Sequence, residues 1–134
     1  MEDFVTSEIA KKLKEKGFRE ECFARYYCSD KAYFEENSYN PNTESIFYCY
    51  NNDEDLGRFY IDAPTISQVL KWLRDKFFLH ITQKPYPCED GLMWMYEIRK
   101  FNKNIVFVIA NKTGFVKEEQ ASIAGIDYVL DNLI

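Results

Sequence analysis

LMWMYEIRKFNKNIVFVIA, Leu92 to Ala110, holds two runs rich in aromatic and branched side chains, parted by Asn102-Lys103-Asn104. Such side chains suit a pleated, half-buried surface, and an Asn-rich break suits a tight turn. The stretch therefore predicts two antiparallel strands. Successive strand residues face opposite sides of a sheet. On Leu92 to Ile98 one side carries Leu92, Trp94, Tyr96 and Ile98, and the other carries Met93 and Met95 before Glu97 and Arg99. On the second run both sides are apolar: Ile105, Phe107 and Ile109 against Val106, Val108 and Ala110. A sheet with two apolar faces is expected to be covered on both. Helices would cover one. The other would fall to residues 1–57, to a second copy of the chain, or to a different partner.

Upstream, FLHITQ (Phe78 to Gln83) alternates like a further strand, and KPYPCEDG (Lys84 to Gly91) reads as a loop held by its prolines. Before it, RFYIDAPTISQVLKWLRDKF (Arg58 to Phe77) predicts a strand, a turn and a helix. Pro64 makes Ala63 extended, and Thr65 with Gln68 has the spacing of a capping box. Ile66, Val69, Leu70, Leu73 and Phe77 then recur at helical spacing, with Trp72 at the edge of the stripe. Downstream, NKTG (Asn111 to Gly114) reads as a turn, and a helix is expected from Lys117 to Leu133. Its stripe is Ile123, Ile126, Val129, Leu130 and Leu133. Ala121, Ala124 and Gly125 keep another face thin enough for close approach.

The first half is predicted to open with a helix from Thr6, a capping residue, to just before Gly17, which suits a left-handed end. Cys22 to Glu36 reads as a hairpin turning at Ser29-Asp30, Glu36 to Ser45 as a loop, Ile46 to Tyr50 as a strand and Asn51 to Gly57 as a turn. The expected class is α+β: an antiparallel sheet with helices mainly on one face, the C-terminal half running β-α-β-β-β-α. One domain is expected, with Gly57 the best boundary between subdomains 1–57 and 58–134.

The net charge of −5 disfavours binding to a nucleic-acid backbone. No apolar run approaches a membrane span, and the N-terminus lacks a signal pattern, so a cytoplasmic protein is expected. Cys22, Cys28, Cys49 and Cys88 are irregularly spaced and read as free thiols. NNDEDLG (Asn51 to Gly57) fails as a calcium loop, since its Gly falls seventh rather than sixth. His80 is the single histidine, too little for a zinc site of ordinary composition. No cofactor and no metal are expected.

Residues 65–132 resemble, in element order alone, the α-β-β-β-α double-stranded RNA-binding domain. That family grips phosphate with a basic cluster opening its last helix. Here Lys117-Glu118-Glu119-Gln120 stands there, so RNA binding is not implied. FYIDAPTISQVLKWLRDK, MWMYEI and EEQASIAGIDYVLDNLI are similar to segments of uncharacterised small proteins of gut Bacteroides, their phages and mobile elements. EIAKKLKEKGF resembles them more loosely. The resemblance implies an α+β fold and a mobile-element origin, and no activity.

The leading functional expectation is a non-enzymatic interaction module that binds a protein partner or a second copy of itself. Its candidate contacts are Trp72, Met93, Trp94 and Met95. The rival is a small enzyme or ligand-binding protein with a pocket near His80, Asp62 and the 84–91 loop.

Overall fold

The computed structural model describes residues 3–22, 24–27, 45–48 and 60–134, with backbone alone at 25–27, 45–48 and 60. The expected turn at Ser29-Asp30, the segments 31–44 and 49–59, the tested loop at Asn51 and the boundary at Gly57 lie outside these residues. The chain forms two compact units, Phe4–Thr65 and Ile66–Ile134 with Met1–Asp3. Both are α+β.

The N-terminal unit begins with α1 (Ser7–Glu15). Thr6 caps it: its Oγ1 accepts the Ile9 N–H at 3.3 Å. Gly17 ends it at φ 93, a left-handed conformation that glycine adopts without strain. The Phe18 N–H then reaches back to the Leu13 carbonyl at 2.9 Å, and that of Gly17 to Lys14 at 3.2 Å. These are the paired bonds of a Schellman end. Arg19 adds its guanidinium, whose Nη1 donates to the carbonyls of Lys14 and Phe18. The apolar face of Ile9, Ala10 and Leu13 is buried. A small antiparallel sheet accompanies the helix: β1 (Ala24–Tyr27) lies between β2 (Ser45–Tyr48) and β3 (Tyr60–Ala63). Ala24 pairs with Tyr48 on one side and Ala63 on the other. The strand before Pro64 thus belongs to the N-terminal sheet, although it leads directly into the next helix.

In the C-terminal unit, α2 (Ile66–Phe77) starts one residue after Thr65, and its first N–H donates to the Asp3 carbonyl at 2.9 Å. Phe78 ends it in the left-handed region, φ 58, with its N–H bonded to Arg74. The meander follows: β4 (Leu79–Cys88), β5 (Gly91–Asn102) and β6 (Ile105–Phe115), paired antiparallel in the order β4-β5-β6. Two expectations are corrected here. Lys84 to Cys88 is not a loop but the second half of β4, and only Glu89-Asp90 turns. Pro85 and Pro87 are tolerated because β4 is an edge among the described strands. Residues two apart direct their backbone nitrogens to the same side, here away from the sheet, where no ladder bond is lost. Asn111 to Gly114 is not a turn but part of β6. Gly114, at φ 100, is the extra residue of a bulge between the Trp94–Phe115 and Met95–Thr113 pairs.

The last helix, α3 (Glu118–Asn132), crosses one face of this sheet, and α2 packs beside it on β4. Gln120 closes the start of α3 by accepting the Lys117 N–H at 3.3 Å. The core is Val69, Trp72 and Leu73 from α2, Leu79 and Ile81 from β4, Tyr96 and Ile98 from β5, and Ile126, Val129 and Leu130 from α3. The thin face of α3 is what meets the sheet. Ala121 and Gly125 are buried, and Gly125 sits against Ile81 and Tyr96.

Candidate functional site

Cross-strand partners share a face. Ile81 with Ile98, and Gln83 with Tyr96, face α3. The alternate residues form the opposite, open face: His80 with Arg99, Thr82 with Glu97, Lys84 with Met95, Tyr86 with Met93. Phe101 and Arg99 extend it to Val106 and Val108 on β6.

At its centre is Glu97, whose side chain is 13% exposed and whose Oε1 pairs with Arg99 Nη2 and with Lys84 Nζ at 3.3 Å. Burial by itself would raise the Glu97 pKa. Hydrogen bonds from Arg99 and Lys84 outweigh it and hold the carboxyl below its ordinary range. His80 stacks on Phe101, ring centres 5.8 Å apart. Burial, then the charges of Arg74 and Arg99, lower its pKa. Around this polar centre lie the apolar groups: half-buried Met93 and Met95, Phe101, and the outer strand.

The outer strand departs from expectation. Its apolar residues were expected to be enclosed on both sides. Instead Ile105, Val106, Phe107 and Val108 are 64%, 49%, 43% and 47% exposed. Among the described strands, β6 pairs with β5 alone, so its other edge bears no ladder. Burying such side chains fully is worth about 1.5–3 kcal/mol each, and the chain forgoes roughly half of that here.

The four candidate contacts do not form one surface. Met93 and Met95 lie on the open face. Trp94 lies on the other, beside the helix-facing Tyr96. Trp72 is 7% exposed and packs edge-on against Phe77, rings 5.1 Å apart, so it serves the core rather than a contact. The missed residues are those of β6. Their apolar runs were legible, but their place at the sheet edge follows only from strand order.

The residues of the rival reading fall in both units. His80 belongs to the C-terminal sheet and the 84–91 segment is largely strand. Asp62 belongs to the N-terminal unit, where it lines a cavity of about 230 Å³ with Ala10, Lys14, Phe18, Arg19 and Ile61. Among the described residues no group of three or more His, Cys, Asp or Glu is placed to hold a metal, and no helix is long and apolar enough to cross a membrane.

No protein-family model matches the chain, and no curated protein or solved structure matches it.

Proposed function

We propose that this chain is a non-enzymatic protein-interaction module that works through the open face and outer strand of its C-terminal sheet. One observation carries the reading: four consecutive apolar residues, Ile105 to Val108, are 43–64% exposed on an edge strand. Val106 and Val108 are exposed on the open face and Ile105 and Phe107 on the other; exposed apolar side chains of this kind mark contact sites, and an unpaired edge adds directional hydrogen bonds to them. Met93, Met95 and Phe101 continue the apolar surface inward, and Glu97, Arg99 and Lys84 supply a polar patch that orients a partner. An accessory role in a phage or mobile element, in the cytoplasm, accords with the resemblance of the C-terminal segments.

Site-specific photo-crosslinking tests this. A benzophenone side chain at Met95 or Val108 should give discrete adducts in cells, and one at exposed Glu119 on α3 should give none. Equal labelling from all three positions, or none from the first two, would count against it.

A further inference from the structure

We infer that β6 pairs with itself: two copies of the chain join antiparallel along this strand, with Phe107 opposite Phe107 at the two-fold axis. The inference rests on the interaction reading above and names the partner as a second copy.

The register follows from the hairpin. Asn102 pairs with Ile105 across a two-residue turn. The closing pair of such a turn exchanges both backbone hydrogen bonds, and bonded and open pairs then alternate. Asn102–Ile105 and Lys100–Phe107 are thus bonded pairs, and Phe101–Val106 and Arg99–Val108 are open ones. The Phe101 N–H agrees, since it points away from β6 and donates to the Phe78 carbonyl at 3.0 Å. Val106 and Val108 therefore direct their N–H and C=O groups outward, off the sheet. Setting Val106 against Val108 of a second copy satisfies these groups reciprocally on both sides of the axis. The two Phe107 rings then form a close, open pair, a favourable cross-strand contact.

A second copy is favoured over another chain by the contrast between the two edges. Natural edge strands are blunted by proline, lysine and bulges. The β4 edge carries Lys84, Pro85 and Pro87, which refuse a neighbour. The β6 edge carries no charge and no proline from Ile105 to Ala110. Joining β6 to β6 yields a continuous sheet that ends in β4 on both sides. The assembly closes at two copies instead of growing into a fibre. Self-pairing also opposes no like charges within Ile105–Ala110. A bulge at Ile109, between the Ile98–Ala110 and Arg99–Val108 pairs, shortens the regular edge to Ile105–Val108. The contact is therefore small, which places the self-association among weak, reversible interfaces.

Sedimentation equilibrium of the full chain from about 1 to 200 µM tests this. The mass should rise from 16.0 kDa toward twice that value. Val106→Pro removes an outward N–H without touching the β5–β6 ladder, and should weaken the dimer about tenfold or more. Phe107→Lys and Phe107→Glu should each be monomeric alone and dimerise when mixed, which only folded chains pairing at that position can do. A monomer at every concentration overturns the inference, as does a dimer indifferent to Val106→Pro. If that monomer still gives adducts to other proteins from Met95 and Val108, the second copy falls and the interaction reading stands. If it gives none, both fall.

Discussion

Gly125 is where the last helix meets the sheet most closely, and substitution there tests the packing of the whole C-terminal unit. A Cβ at this position would stand 2.9 Å from Ile81 Cγ2 and 3.3 Å from Tyr96 Cγ. Carbon atoms rest at about 3.5–4.0 Å, so the first contact is an overlap. Neither neighbour has slack. Ile81 is 4% exposed and the offended methyl sits on its branched carbon; Tyr96 is 3% exposed and the atom is the root of its ring. Gly125→Ala must lift the helix or bend the sheet, at about 1–3 kcal/mol. Against this, alanine in place of a helix-interior glycine gains about 1 kcal/mol. The expected net loss is about 1 kcal/mol, and Gly125→Val, bulkier and branched, should lose about 3 kcal/mol. Urea unfolding followed by circular dichroism measures both. Ile81→Ala removes the clashing methyl, so it should cost about 1 kcal/mol less in the Gly125→Ala background than in the parent. If Gly125→Ala instead gains the full helix-propensity increment and the double variant is additive, α3 is not seated on Ile81 and Tyr96.

Further expectations follow from the helix ends and the open face. Thr6→Ala removes the oxygen that accepts the Ile9 N–H and should cost about 1 kcal/mol in denaturant unfolding. Phe78→Gly should stabilise by about 0.5–1 kcal/mol, because an exposed phenylalanine now holds φ 58; a loss would mean that the ring has a packing role. His80, as the single histidine, can be titrated by NMR without ambiguity, and its midpoint should lie below 6.5. Folding then favours neutral imidazole, a contribution present above pH 6.5 and lost as pH falls through the folded-state value. The depressed Glu97 likewise stabilises above pH 4.5, and its contribution is lost as pH falls through its folded-state pKa. Acid unfolding of Glu97→Gln should therefore be less steep below pH 4.5 than that of the parent.

Local chemistry determined much of this protein. Thr6, Gly17 and the Val69–Leu73 stripe act within a few residues of themselves, so the helix positions were legible before any neighbour was known. Alternation from Leu92 to Val108 likewise determined two strands, a break at Asn102-Lys103-Asn104 and the residues that share each side; beyond Val108 the bulge at Ile109 sets Ala110 opposite Ile98, on the other face from Val108. What lay beyond local reach was the outcome of pairing. Two prolines argued for a loop at Lys84–Gly91, and they are harmless because, among the described strands, β4 pairs with β5 alone. The Asn111–Gly114 stretch resembled a turn, yet β5 draws it into the ladder and leaves Gly114 as a bulge. Trp72 stood at the edge of its stripe by angle, but the packing of α2 in the C-terminal unit decided that it is buried. Parity separated Met93 and Met95 from Trp94; only the docking of α3 decided which set would lie open. The exposure of Ile105 to Val108 depended most on tertiary structure. A side chain's polarity belongs to its residue, whereas its burial depends on which elements arrive beside it, and β6 has β5 on one flank and no described strand on the other.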